Sequence, residues 1–330
     1  MPIFQKSLPS AQLYLAWSMR DALAQGRIER LSQTVYRHAS TLIVIRHLSG
    51  RRALPRHDRL IYVIDDDWRA GIGDRSLPAS YRIKLALREA LAAHRIEARA
   101  DVILAASDVL AARYRARFPD KSIAVLEPAW PKAASLLARE RPIHLACLSA
   151  ATHRRDFSFL QPVLSDLLTR RGVRLTVSAN APVPRAWRHH ERVDVVPAMD
   201  WTGYAAWRVG KSFDIGLYPT CRAPFNAARS RNKLLEFDQF GAALLCSDSW
   251  GPGRRAATEE RCLALPDRQG DWARTLTMLI DRPGYATSFA KRNREALLGE
   301  DPLSRQRRIW EAVLTRDNSS PYSTQTRAKS

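Results

Sequence analysis

Two series of short apolar runs, each alternating with helical stretches, limit most strongly the folds open to this sequence. In the first series the runs are rich in β-branched residues and have the length of strands; they are 42–45, 60–64, 102–105 and 123–126. A helical pattern over 79–98 separates the second run from the third. Strands joined by helices predict a parallel sheet that is covered by helices on both faces.

The second series follows a proline-rich stretch at 127–142, which we interpret as a linker between two domains. Its six predicted strands are 144–149, 173–179, 193–198, 213–219, 242–248 and 262–266. Predicted crossover helices cover 156–171, 201–210 and 229–240. Six strands with crossover helices amount to a complete doubly wound domain.

The ends of the chain complete the predicted organisation. The apolar spacing over 11–37 predicts a helix, and helices are also expected near 269–281, 284–298 and 302–315. We therefore expect an N-terminal domain over 1–135, a second domain over 140–300 and a C-terminal helix over 301–316. The polar segment 317–330 is predicted to be a disordered tail.

Composition narrows the class of protein. The formal net charge is +20, and it is spread over both halves, which favours attraction to an anionic membrane or a phosphate-bearing substrate. The apolar runs are far shorter than the roughly 20 residues of a membrane span, and no secretory signal is evident, so a cytoplasmic protein is expected, with a possible peripheral position at the inner membrane face. The four cysteines are widely spaced and predicted to be free, and no metal site is expected.

Chemistry is expected after the strands of the second series, where ligands of open α/β sheets bind. In 214–248 a strand is followed by a polar loop with Asn226 and Arg229, and then by a predicted helix that Ser230 caps. Ser230 and Lys233 would face a diphosphate at the helix start, and Glu236 could accept two hydrogen bonds from a ribose diol. A solvated helix start with an ordinary ion pair is the alternative.

The same segment resembles the nucleotide-binding signature of retaining GT-B glycosyltransferases of the family 4 type. Pro-Phe-Asn, Ser, Lys-Leu-Leu-Glu-Phe, Gly and an Ala-Leu-Leu-x-Ser-Asp strand occur here in that family's order. The segments 42–48, 60–68, 98–119 and 148–160 are similar to further parts of such proteins. The resemblance implies two Rossmann-like domains that face each other across a cleft, with the N-terminal domain shortened.

What the resemblance implies about function is sugar transfer from a nucleotide-sugar. The donor would be a UDP-sugar, a GDP-sugar or a similar compound, and the acceptor a glycan or a lipid-linked molecule, without a metal or a further cofactor. No nucleic-acid partner is expected, because the sequence has no helix-turn-helix, zinc-finger or aromatic strand signature; a nucleic-acid binder driven by charge stays open as an alternative. A hexosyltransferase that retains the anomeric configuration is expected. A degenerate member that only binds nucleotide-sugar or glycan as a scaffold is the alternative, because Ala228 stands where the family places the first glutamate of its acidic pair.

The resemblance assigns roles to individual residues. Glu236 would hold the donor ribose, with Ser149, Asn226, Arg229 and Ser230 also at the donor. Arg154, Arg155 and Lys233 would neutralise the departing diphosphate.

The acceptor side of the predicted cleft draws on the first series. His47, Asp66 and Asp67 follow strands of that series and are predicted to lie at the cleft. Two alternatives stay open for the run 65–67. It could hold Mg²⁺ or Mn²⁺, as the Asp-x-Asp motif does in the other glycosyltransferase fold, or it could provide a helix cap or an ion pair to Arg69.

Overall fold

The computed structural model describes residues 8–48, 53–133, 143–148, 153–179 and 182–315, with only the backbone of Arg88. Within these residues there are two sheets of six strands each. The predicted tail 317–330 and most of the predicted linker, from 134 to 142, lie outside them. The predicted domain bounds therefore stay a prediction.

The first sheet has its strands in sequence order, β1 to β6. They are β1 (Glu29–Arg30), β2 (Val35–His38), β3 (Thr41–Ile45), β4 (Arg59–Ile64), β5 (Val102–Ala105) and β6 (Ser122–Val125). The pairings from β3 to β6 are parallel, with Ile43 opposite Ile61 and Val63 opposite Leu104. β1, β2 and β3 pair antiparallel.

The antiparallel part of this sheet corrects the predicted helix over 11–37. The chain is helical only as far as Ala24, because Gly26 takes a φ of 70°, which a right-handed helix does not allow. Val35 and Tyr36, which we assigned to the helix, lie in β2 and are buried. β-branched and aromatic side chains favour this half-buried pleated setting over a helix.

The second sheet runs in the order β12-β11-β10-β7-β8-β9 and is parallel throughout. Its strands are β7 (His144–Cys147), β8 (Arg174–Ser178), β9 (Val193–Val196), β10 (Ile215–Tyr218), β11 (Ala243–Ser247) and β12 (Leu263–Leu265). The strand order reverses between β7 and β10, which is the switch point where doubly wound sheets bind ligands. The predicted doubly wound arrangement is confirmed.

The helices cover both sheets. Those of the first half are α1 (Pro9–Ala11), α2 (Arg20–Ala24), α3 (Trp68–Gly73), α4 (Ala79–Lys84), α5 (Leu91–Arg99) and α6 (Asp108–Arg117), with π-helical turns at Gln12–Ala16 and Leu85–Ala90. Those of the second half are α7 (Arg154–Arg170), α8 (Trp201–Trp207), α9 (Pro224–Ala227), α10 (Asn232–Gln239), α11 (Gly251–Thr258), α12 (Gln269–Asp281), α13 (Pro283–Glu300) and α14 (Pro302–Thr315), with a 3₁₀ turn at Arg185–His189. None of the helices in the described ranges has the length and apolarity to cross a membrane.

The last helix, α14, returns from the second half to the first. The indole of Trp310 donates to the carbonyl of Tyr14 at 2.7 Å, and Gln306 donates to the carbonyls of Leu13 and Glu127. Trp310 is fully buried in the core beneath the first sheet. These contacts hold the N-terminal segment, and with it Tyr14, at the junction of the two halves.

Candidate functional site

Helix α10 holds the two side chains on which the predicted donor site depends. Leu234, Leu235 and Phe237 bury its apolar face, and Phe237 packs directly on Gly216 of β10. A Cβ at Gly216 would lie 2.2 Å from the Phe237 ring, so only glycine permits this close approach. Lys233 and Glu236 lie three positions apart on the same helix, and both line a cavity that residues of the first half also border.

Glu236 and Lys233 form an ion pair of 2.6 Å, from Nζ to Oε2. The ammonium group also donates to the carbonyl of Leu148 at the end of β7, at 2.7 Å. The hydroxyl of Tyr204 donates to the other carboxylate oxygen of Glu236. Because a carboxylate accepts about four hydrogen bonds, Glu236 keeps acceptor positions for a ligand beside these two partners.

A cavity of about 500 Å³ lies between the two halves and is lined by both side chains. This volume is in the range of small-molecule sites, roughly 300–1,000 Å³. Six of the residues predicted at the donor or the acceptor line it: His47, Asp66, Arg229, Ser230, Lys233 and Glu236. The fold thus brings together predicted residues as far apart in sequence as His47 and Glu236, which are separated by 189 positions.

The wall on the side of the first sheet is a charged cluster around Arg46. Its guanidinium lies 3.0 Å from Asp66, 3.6 Å from Asp65 and 3.2 Å from Glu89. Arg46 has a φ of 64°, a left-handed conformation that is strained for a residue with a side chain. Arg229 from the second half reaches the same cluster, 3.6 Å from Asp66.

Asp65 and Asp66 are neighbours in sequence, yet the cluster moves their pKa values in opposite directions. Burial raises the pKa of Asp65 above its ordinary value, and Arg46 offsets this only in part. Burial acts in the same sense on Asp66, but Arg46 and Arg229 outweigh it and hold the pKa of Asp66 below its ordinary value. Paired carboxylates with separated pKa values are a mark of sites that bind and orient reacting groups.

Two histidines line the cavity, and burial lowers the pKa of both. His47 lies beside the Arg46 guanidinium, which lowers its pKa further. The ring of His153 is 2.6 Å from Asp156, which also accepts from the backbone N–H of Cys221. The neutral form of both rings is therefore favoured at pH 7.

Three polar atoms at the cavity are buried and have no hydrogen-bond partner among the described residues. They are Oγ1 of Thr34, Oδ1 of Asp65 and Nε of Arg229. Buried polar atoms left without a partner are rare in folded proteins. At these three atoms the wall of the cavity is not satisfied by hydrogen bonds within the described residues.

Ser230 lies at the cavity, but the prediction that it caps the helix is wrong. Helix α10 begins at Asn232, two residues later, and no side chain caps it. The Ser230 hydroxyl instead accepts from the hydroxyl of Tyr14 at 3.3 Å, across the cleft. The loop at 228–231 packs on the first half, and this contact delays the start of the helix.

Several predicted site residues lie elsewhere. Arg154 and Arg155 open α7 with exposed side chains that do not line the cavity, and Ser149 is outside the described residues. Asn226 is buried and donates to the carbonyl of Cys221, so it shapes the loop. Asp67 accepts from the Ala70 N–H as the cap of α3 and pairs with Arg113, not with Arg69.

Ala228 occupies the position at which the family resemblance places an acid. It is 1% exposed and packs in the core of the first half, and its carbonyl accepts from Ser107 at 2.7 Å. A carboxylate would have no room in this contact. The departure from the family pattern is therefore built into the junction of the two halves.

Sequence reasoning missed several residues that line the cavity, namely Ser10, Tyr14, Thr34, Arg46, Lys84, Glu89 and Tyr218. Asp65, which belongs to the run 65–67, and His153 also line it. The position of Arg46 directly after a strand was a signal that could have found it, whereas Glu89 lies inside a helix and shows none. In the described part of the chain no three His, Cys, Asp or Glu side chains are arranged as metal ligands. None of the four cysteines forms a disulfide bond, and all four are buried.

No protein-family model and no curated protein matches this sequence. Solved structures do match in fold. A sucrose-phosphate synthase from Thermosynechococcus elongatus has a TM-score of 0.54 and 11% identity, over 78% of this chain and 68% of that one. The pneumococcal O-GlcNAc transferase GtfA, solved with UDP and GlcNAc, has a TM-score of 0.53 and 10% identity, over 86% of this chain and 63% of that one.

Anabaena HepE, solved in complex with UDP-glucose, has a TM-score of 0.51 and 11% identity, over 77% of this chain and 72% of that one. The chain thus spans less than two thirds of GtfA and somewhat more of the other two. At these identities the likeness concerns the fold alone, that of two Rossmann-like sheets. The chain therefore has the GT-B fold, which it shares with these glycosyltransferases.

Proposed function

We propose that this protein transfers a sugar from a nucleoside-diphosphate sugar to a hydroxyl group of a glycan or a lipid-linked acceptor. The observation that carries the proposal is the Glu236–Lys233 pair at the start of α10, in a cavity between two Rossmann-like sheets. A carboxylate suits a ribose diol, and an ammonium group suits a diphosphate. The solved structures of GtfA and HepE carry UDP or a UDP-sugar, which supports a UDP-sugar here.

The two walls of the cavity suit the two substrates. On the wall of the second half, Lys233, Arg229 and the first-turn amides of α10 would stabilise the diphosphate as it leaves, without a metal ion. On the opposite wall, the carboxyl group of Asp65 lines the cavity and would accept a hydrogen bond from the acceptor hydroxyl. Asp66, which both arginines hold ionised, would keep Arg46 and Arg229 in place.

Transfer of a hexose with retention of configuration is part of this proposal, because the sequence resembles retaining family 4 enzymes. The ¹H NMR coupling constant of the product's anomeric proton tests it. An anomeric proton whose orientation in the product is opposite to that in the donor sugar would show inversion. This result would refute retention and leave the rest of the proposal standing.

A second candidate function is a scaffold that binds nucleotide-sugar without turnover, which the buried Ala228 favours. Donor hydrolysis and transfer by the wild type and by Glu236→Ala separate the two functions. A transferase loses most of its activity on this change. Absence of turnover in both proteins, with nucleotide binding by the wild type alone, would establish the scaffold and overturn the transferase.

A further inference from the structure

The helical segment 79–99 of the first half carries an apolar stripe on its outer face. Ile83, Leu87 and Leu91 are four residues apart, and their exposed fractions are 57%, 65% and 64%. Side chains at this spacing lie on one face of a helix. The other large apolar side chains that are exposed among the described residues are scattered as single positions: Val109, Val209, Tyr285 and Leu298.

The charges of this segment are sorted between its two faces. Its acidic residues, Glu89 and Glu97, are both buried and pair inward, with Arg46 and Arg69 respectively. The exposed charged side chains are basic and flank the stripe; they are Lys84, Arg95 and Arg99. An apolar stripe bordered only by cations is the pattern of helices that lie in the plane of an anionic membrane surface.

We propose that the outer face of segment 79–99 binds an anionic lipid bilayer, with Ile83, Leu87 and Leu91 inserted among the acyl chains near the headgroups. The charges argue for a lipid surface: the net charge of the chain is +20, and the stripe carries no exposed acid that would repel anionic headgroups. An apolar patch that bound a second copy of this chain would bring like charges together.

The same segment also borders the cavity, since Lys84 and Glu89 line it. Lys84 is exposed and directly follows Ile83 of the stripe, so a bilayer bound at the stripe would lie next to this edge of the cavity. Where the proposed sugar transfer holds, the acceptor would accordingly be lipid-linked rather than a free glycan. This consequence rests on the proposed function, whereas the binding to membranes does not.

Co-sedimentation of the full-length protein with vesicles tests the proposal without any measurement of activity. The probes are vesicles of phosphatidylglycerol mixed with phosphatidylcholine, and vesicles of phosphatidylcholine alone. We expect the wild type to bind only the anionic vesicles. The triple variant Ile83→Ser, Leu87→Ser, Leu91→Ser should bind them on the order of a hundredfold more weakly. Arg95→Gln with Arg99→Gln should lose about fivefold per residue.

Matched controls remove equivalent groups elsewhere on the surface. Val209→Ser with Leu298→Ser removes apolar side chains that are 76% and 49% exposed, and Arg20→Gln with Arg274→Gln removes two exposed cations. Both controls should bind vesicles nearly as the wild type does, and circular dichroism confirms that each variant is folded. Equal binding by the triple variant and its control would overturn the proposal, as would a wild type that ignores anionic vesicles. A dimer in sedimentation equilibrium that the triple variant loses would also overturn it, in favour of a contact between copies.

Discussion

Replacement of Glu236 by Gln isolates the contribution of one charge to nucleotide binding. The carboxylate binds Lys233 and Tyr204 and keeps acceptor positions open to the cavity. In the variant the charge is gone, and an NH₂ group replaces one acceptor oxygen and faces the Lys233 ammonium or the ligand. A hydrogen bond to a charged group is worth about 1.5–3 kcal/mol, so the Kd of the nucleoside diphosphate should rise roughly 10- to 150-fold.

Isothermal titration calorimetry measures this change, and the same helix offers a matched control. Asp238 is also buried on α10, but it pairs with Arg294 at 2.9 Å on the side away from the cavity. Asp238→Asn removes the same charge and destabilises the same helix, and it should leave the Kd unchanged. Equal affinities of Glu236→Gln and the wild type would refute the assignment, and an equal loss in both variants would show a general effect on folding.

Three further predictions concern the cavity wall and the core. Burial raises the pKa of Asp65, so the folded state favours its protonated form, and wild-type stability falls as the pH rises from about 3.8 through that raised value. Asp65→Asn should therefore raise the Tm measured by calorimetry at pH 7. The same variant should lower the initial rate of sugar transfer. Burial lowers the pKa of His153, so the free energy of unfolding falls as the pH falls through the ordinary value of 6.5. In His153→Gln, the urea midpoints measured above and below that pH should therefore differ less than they do in the wild type. Gly216→Ala drives a Cβ into the Phe237 ring and should lower the free energy of unfolding in urea by about 1–3 kcal/mol. Gly284→Ala places its Cβ in open space and should leave that free energy unchanged. Equal effects of the two variants would contradict the packing argument.

Local patterns in the sequence were enough to predict most of the fold. Strand β5 and helices α12 and α14 have the predicted bounds, because each combines a clear periodicity with a polar or proline-containing boundary. The hairpin of β1 and β2 was mistaken for helix, since four residues of alternation are too few to distinguish the two periods. There the pairing with β3, which no local pattern contains, decides the structure.

The wall of the site formed by the second half was predictable in more detail than the wall formed by the first half. Glu236 and Lys233 share a helix, so their spacing places both on one face before any tertiary structure is known. Arg46 and Glu89 meet across 43 positions of sequence, and neither has a neighbour that signals the pairing. Arg154 and Arg155 show the opposite failure: they follow the right strand, but their side chains point to solvent.

Nucleotide binding by the wild-type protein tests the central claim most directly. The claim is that the cavity between the two sheets holds a nucleoside diphosphate against α10. A thermal-shift series with UDP, GDP, ADP and their sugars should show one nucleotide that stabilises the protein, by about 2.7 kcal/mol at 100 times its Kd. If no member of the series stabilises the protein, the account is contradicted.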